Sequence, residues 1–187
     1  MKDSYKMREW RGKASIIKHP ETGIIIAKVV AGDWYLSNGD ERIITVLGSC
    51  VSACIRDPKR GVGGVNHFMF AGGQDELTDQ SSNGSKLYGE QAMDALIEAL
   101  LKLGCEKSRL EVKLFGGANM EQSHMQVGVE NIDFALNYCA RHKLNVIASD
   151  FGDVYPRKLQ YNPITGQVKL KKLRSAYGDY FNLADYN

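Results

Sequence analysis

Proline is scarce in this chain, with four in 187 residues, and nowhere do 18 apolar residues follow one another. The apolar run Ile24–Ala27 is cut by Lys28, well short of the length that spans a bilayer, so no membrane insertion is expected. The first ten residues are charged and lack an apolar h-region, which argues against a secretory leader and for a cytoplasmic chain. Cysteine and histidine are equally sparse, four of each, and the cysteines at 50, 54, 105 and 139 do not sit at zinc-site spacing. Free thiols in a reducing compartment are the expectation. Neither GxGxxG nor GxxxxGK[ST] occurs, so nucleotide binding by either standard route has no support. The net charge is only +2, and its basic excess lies at the two ends, in residues 1–20 and 151–187. No basic stripe interleaves with stacking aromatics, and nucleic acid is not an expected partner.

What is present suffices for a core. With 43% hydrophobic residues, a chain of 187 residues buries roughly 70% of its extended surface without disulfide or metal staples. Patterning predicts strands over 23–30 and 42–47, then an apolar continuation at 51–55 up to the Asp57-Pro58 breaker. Gly61, Gly63 and Gly64 read as a flexible bend, followed by a buried strand over 65–70 that is expected to neighbour strand 43–47. Residues 72–86 are polar and aperiodic, a long loop. Ala92, Leu96, Ala99 and Leu103 fall at i, i+4, i+7 and i+11, a helix that Gly104 stops. A strand over 109–115 ends in Gly116-Gly117. A second helix over 130–142, a strand over 144–148 and a hairpin of 158–161 with 167–171 complete the chain. This mixture predicts an α+β fold, a single-domain layered α/β sandwich with a mixed β-sheet. Its expected division is a basic N-terminal arm over 1–20, a domain over 21–175 and a C-terminal tail over 176–187.

Cys50 is the residue best placed for chemistry. It follows a strand and a Gly-Ser pair, a turn that can present a thiol beside backbone N–H groups able to hold an oxyanion. Cys54, Cys105 and Cys139 lie in apolar contexts and read as small hydrophobes. His67, in an apolar strand after the glycines, is the candidate base, against the reading of a satisfied core histidine. His19, His124 and His142 read as solvent-facing. A base needs an orienting group on its second nitrogen; Thr45 is the candidate, with Asp57 and Asp150 as alternatives. Asp57 more simply starts the Asp-Pro turn. Gly116-Gly117 allows a close backbone approach.

Thr45-Val-Leu-Gly-Ser-Cys-Val-Ser-Ala-Cys-Ile-Arg-Asp-Pro58, followed by Gly63-Gly-Val-Asn-His-Phe-Met69, resembles the signature of the chemoreceptor glutamine deamidase family, CheD. The resemblance continues through Tyr88-Gly-Glu-Gln-Ala-Met93, Lys113-Leu-Phe-Gly-Gly-Ala118, Asn131, Ala148-Ser-Asp150 and Asn162-Pro-Ile-Thr-Gly166. It implies that Cys50 is the nucleophile, His67 the base and Thr45 the third member. The backbone around Gly48, Ser49 and Val51 would shape the site and steady the oxyanion. It implies a layered fold similar to toxin-type glutamine deamidases, and no metal or organic cofactor. The implied substrate is a glutamine on the cytoplasmic helical domain of chemotaxis receptors, with a CheC-type phosphatase as a further partner. The rival expectation is a regulatory module that binds receptor or phosphatase without catalysis.

Overall fold

The computed structural model of the chain describes residues 12–69, 89–119 and 127–173. The loop expected over 72–86 and the tail beyond 173 lie outside the described residues. Among the described residues, ten strands form two five-stranded sheets, and two α-helices lie along the outer face of one of them. The first sheet contains β1 (Ser15–Lys18), β2 (Ile25–Lys28), β4 (Glu41–Leu47), β9 (Arg157–Tyr161) and β10 (Val168–Lys172), in that spatial order. The second runs β3 (Trp34–Ser37), β6 (Val62–Asn66), β5 (Val51–Asp57), β7 (Glu111–Gly116) and β8 (Asn145–Phe151). Each sheet is mixed: β2 runs parallel to β4 and β7 parallel to β8, and the remaining pairs are antiparallel. The fold is an α+β layered sandwich.

Alternation along the strands sorts the core into two layers. On β5, Val51, Ala53 and Ile55 face the helices α1 (Gly89–Lys102) and α2 (Val127–Arg141), together with Leu96, Leu100, Ala135 and Tyr138. Cys54, on the opposite face of β5, packs with Ile43 and Leu47 of β4, Val65 of β6, Phe115 of β7 and Leu159 of β9. The helices, the second sheet and the first sheet thus stack in that order. α1 carries its apolar stripe where the periodicity predicts it. Its C-terminus stops at Gly104, whose φ of 81° is left-handed.

Three expectations need correction. Gly63 and Gly64 are not a bend but the interior of β6, paired with β5 on one side and β3 on the other. A Cβ on Gly64 would lie 2.6 Å from both Leu96 Cδ1 and the Tyr35 carbonyl oxygen, so glycine is required there by close approach. Strands 43–47 and 65–70 are not hydrogen-bonded neighbours; β4 and β6 belong to different sheets and face each other across the inter-sheet core. His19 is buried rather than solvent-facing, its Nδ1 accepting the N–H groups of Glu21 and Thr22 at 3.3 and 3.2 Å. The short strands β1 and β3 were not visible in the patterning.

Candidate active site

The site lies where the chain crosses from one sheet to the other. β4 ends at Leu47, residues 48–50 make the crossing, and β5 begins at Val51. On β4, Ile43 and Leu47 face the inter-sheet core, and Thr45, two residues from each, shares that face. On β6, Val65 faces the same core and Asn66 the helices, which returns His67 to the inter-sheet side. The structure brings these two together: Thr45 Oγ1 and His67 Nδ1 are 2.8 Å apart, both side chains buried.

Register places Cys50 on the same side. Cys54 pairs with Val65, and Val51 with Phe68 through reciprocal backbone bonds of 3.0 and 2.9 Å. Alternation carried back one residue from Val51 would put Cys50, in the crossing turn, on the face of His67. Asn66 secures this stretch of ladder from the helix side. Its Oδ1 accepts the Ala53 N–H at 2.8 Å, and its Nδ2 donates to the Ala92 carbonyl at 3.1 Å.

A cleft of about 340 Å³ opens beside the histidine, with Val29, Val30, Ala31, Val46, Gly48 and Pro156 in its walls and Lys28 at its side. His67 Nε2, the nitrogen that Thr45 does not reach, is buried and has no hydrogen-bond partner among the described residues. An orphaned buried polar atom costs about 1–3 kcal/mol; His19 Nε2 and Gln160 Oε1 are further such atoms, but neither borders this cleft. Burial holds the imidazole neutral, pushing its pKa down to about 4, and raises the half-buried Cys50 thiol above its usual value. The resting pair is therefore thiol and neutral imidazole. With Nδ1–H donating to Thr45 Oγ1, the Nε2 lone pair is available as a base.

The crossing turn is held from outside at three consecutive carbonyls. The Ala118 N–H donates to Gly48 O at 2.9 Å, Asn131 Nδ2 to Ser49 O at 2.8 Å, and the Gly117 N–H to Cys50 O at 2.8 Å. Gly116, at φ 120°, makes the last contact possible, since a Cβ there would lie 2.2 Å from Cys50 O. The Val51 N–H is committed to Phe68 O at 3.0 Å, which removes Val51 from the expected oxyanion donors. Among the described residues the N–H groups of Gly48 and Ser49 have no acceptor, and the Cys50 N–H lies against its own thiol.

The alternative carboxylates are structural. Asp57 is fully buried and accepts from Arg109, from the Glu106 N–H and from its own turn, and the Arg109 guanidinium holds its pKa down at about 2. Asp150 pairs with Arg157 at 2.9 Å; that buried guanidinium also donates to the carbonyls of Gly116 and Gly152. Sequence reasoning missed the clamp on the turn. Its only local signal was Asn131 within an apolar helical stripe, beside Gly128 and Ile132, which pack directly on Gly117. Among the described residues, no three His, Cys, Asp or Glu side chains converge to hold a metal ion, and no helix is long and apolar enough to cross a membrane.

The sequence model of the family described as CheD chemotactic sensory transduction matches residues 73–172, which take in the clamp but not Thr45, Cys50 or His67. Full-length comparisons reach those residues. A probable chemoreceptor glutamine deamidase CheD of Hydrogenovibrio crunogenus is 44% identical over 163 residues, 84% of this chain and 83% of its own. That of Saccharophagus degradans is 46% identical over 156 residues, 80% of this chain and 71% of its own. A CheD 1 of Dechloromonas aromatica is 43% identical over 161 residues, 84% and 78% of the two chains. A continuous stretch covering 84% of 187 residues starts no later than about residue 31, so the first and third of these alignments include the strand, the turn and the histidine. On the family match and on this breadth of identity, the chain belongs to the CheD family.

Proposed function

We propose that the protein is a cysteine-dependent protein-glutamine deamidase that converts glutamine side chains of chemotaxis receptors to glutamate, with release of ammonia. The observation that carries this reading is the buried Thr45–His67 hydrogen bond on the face shared with Cys50, in a chain whose relatives are named probable chemoreceptor glutamine deamidases. Cys50 Sγ attacks the amide carbon of the substrate, forming the C–S bond, and its proton passes to His67 Nε2. Because both groups rest neutral, this transfer accompanies the attack rather than preceding it. The oxyanion is steadied by the uncommitted N–H groups of the turn. The protonated ring then delivers its proton to the departing amine, and the C–N bond breaks to leave a thioester. Water, deprotonated by the same nitrogen, hydrolyses the thioester to glutamate and restores the thiol. Thr45 holds the ring in the tautomer this sequence requires.

The partner that the family resemblance implies is the cytoplasmic helical domain of the receptors, and with it a location at receptor arrays. A CheC-type phosphatase is a second, regulatory partner. The test is peptide mass spectrometry of receptor cytoplasmic fragments incubated with wild type, Cys50→Ala and His67→Ala. A glutamine-to-glutamate mass change at defined positions, lost in both variants, is the expected result. Binding of the fragments without any such change by wild type would establish the non-catalytic module instead.

A further inference from the structure

A planar trans peptide points its C=O and the following N–H in opposite directions. The three captured carbonyls of the crossing turn therefore set three amides. The Cys50 carbonyl is drawn to Gly117 of the β7 side, which turns the Val51 N–H toward Phe68 on the β6 side, as observed. The Ser49 carbonyl is drawn to Asn131 of α2, in the helix layer, at 2.8 Å. Its peptide must then direct the Cys50 N–H away from the helices, toward the inter-sheet face that carries His67. Two of the three clamps are main-chain donors. Among the described residues, Asn131 is the one side-chain donor of the set, and it is fully buried.

We infer that Asn131 is a positioning residue for acyl transfer: by holding the Ser49 carbonyl, it aims the Cys50 N–H at the oxyanion. The inference rests on the deamidase reading for its biological substrate, but not for its test. An oxyanion forms when Cys50 attacks an acyl carbon and does not form when Cys50 displaces iodide from an alkyl carbon. Losing the aim of the amide slows the first reaction and leaves the second.

The experiment compares two reactions of Cys50 in wild type, Asn131→Ala and Asn131→Asp. One is acylation by p-nitrophenyl acetate, in which the C–S bond forms, p-nitrophenolate leaves and the thiol proton passes to the base. The other is alkylation by iodoacetamide. Acylation is expected to fall about 10- to 100-fold in both variants, while alkylation changes by less than about twofold. With receptor fragments, kcat falls and KM does not. Acylation and alkylation falling together would reduce Asn131 to a structural role, and unchanged acylation would remove it from the reaction.

Amide proton shifts of the wild type keep the proposal open to refutation even if both variants fail to fold. On addition of a small aliphatic aldehyde, the Cys50 sulfur adds to the carbonyl carbon as a hemithioacetal and the thiol proton moves to its oxygen. The Cys50 N–H is expected to move downfield while the Val51 N–H stays. An unmoved Cys50 N–H overturns the proposal. Receptor fragments left unmodified by wild type, together with an intact split between acylation and alkylation, would overturn the deamidase reading and leave the role of Asn131 standing.

Discussion

His67 carries an acid sensitivity that can be isolated from the rest of the protein. In the unfolded chain a histidine takes up a proton near pH 6.5, whereas burial keeps the folded ring neutral down to about pH 4. Between these values the unfolded state binds the extra proton, so stability falls as pH drops through the window and is unaffected by this residue above it. The gap corresponds to about 3 kcal/mol. Urea unfolding of wild type and His67→Asn at pH 7 and pH 4.5 should show the wild type losing up to that much more; equal losses would mean that the ring is protonated or solvated in the folded state. The same burial explains why sequence alone left the histidine open between base and core residue. Its two nitrogens meet opposite fates, one bonded to Thr45 and one without a partner among the described residues, and only three-dimensional packing distinguishes them.

β6 shows what patterning does and does not convey about an element. Long runs such as Arg42–Leu47 and the stripe of α1 were legible because apolar side chains recur at the period of the structure they form. Val62-Gly-Gly-Val-Asn66 has no such record, and paired glycines ordinarily mark a turn. They are interior strand residues here because Leu96 of α1 and the β3 backbone press against Gly64 from 28 or more positions away, while Arg56 and Ile55 of β5 and the Pro163 carbonyl crowd Gly63. Gly64→Ala, measured by urea unfolding, is expected to destabilise the fold by about 2 kcal/mol or more. A loss no larger than a few tenths would show that α1 can move off β6. The turn before β5 had the opposite history: Gly48-Ser49-Cys50 was legible as a presenting turn, but its donors at Gly117, Ala118 and Asn131 are 67 or more residues distant, and nothing local tied them to it.

The layered α+β class followed from the order of predicted elements, but the allocation of strands to two sheets did not. Alternation states which face of a strand is apolar and is silent on which of two sheets the strand joins. For that reason β4 and β6 could be expected side by side, although they meet face to face. The arrangement bears on how activity should fail. Thr45 lies in the first sheet and His67 directly after β6 of the second, and their side chains are joined by a single 2.8 Å hydrogen bond. In a urea titration, turnover is expected to disappear at lower concentrations than the circular dichroism of the sheets. Coincident curves would mean that the two sheets separate only on global unfolding. The Thr45–His67 pair is thus a caliper laid across the sandwich. It reads the spacing of the two layers, so any movement of one sheet against the other changes its length.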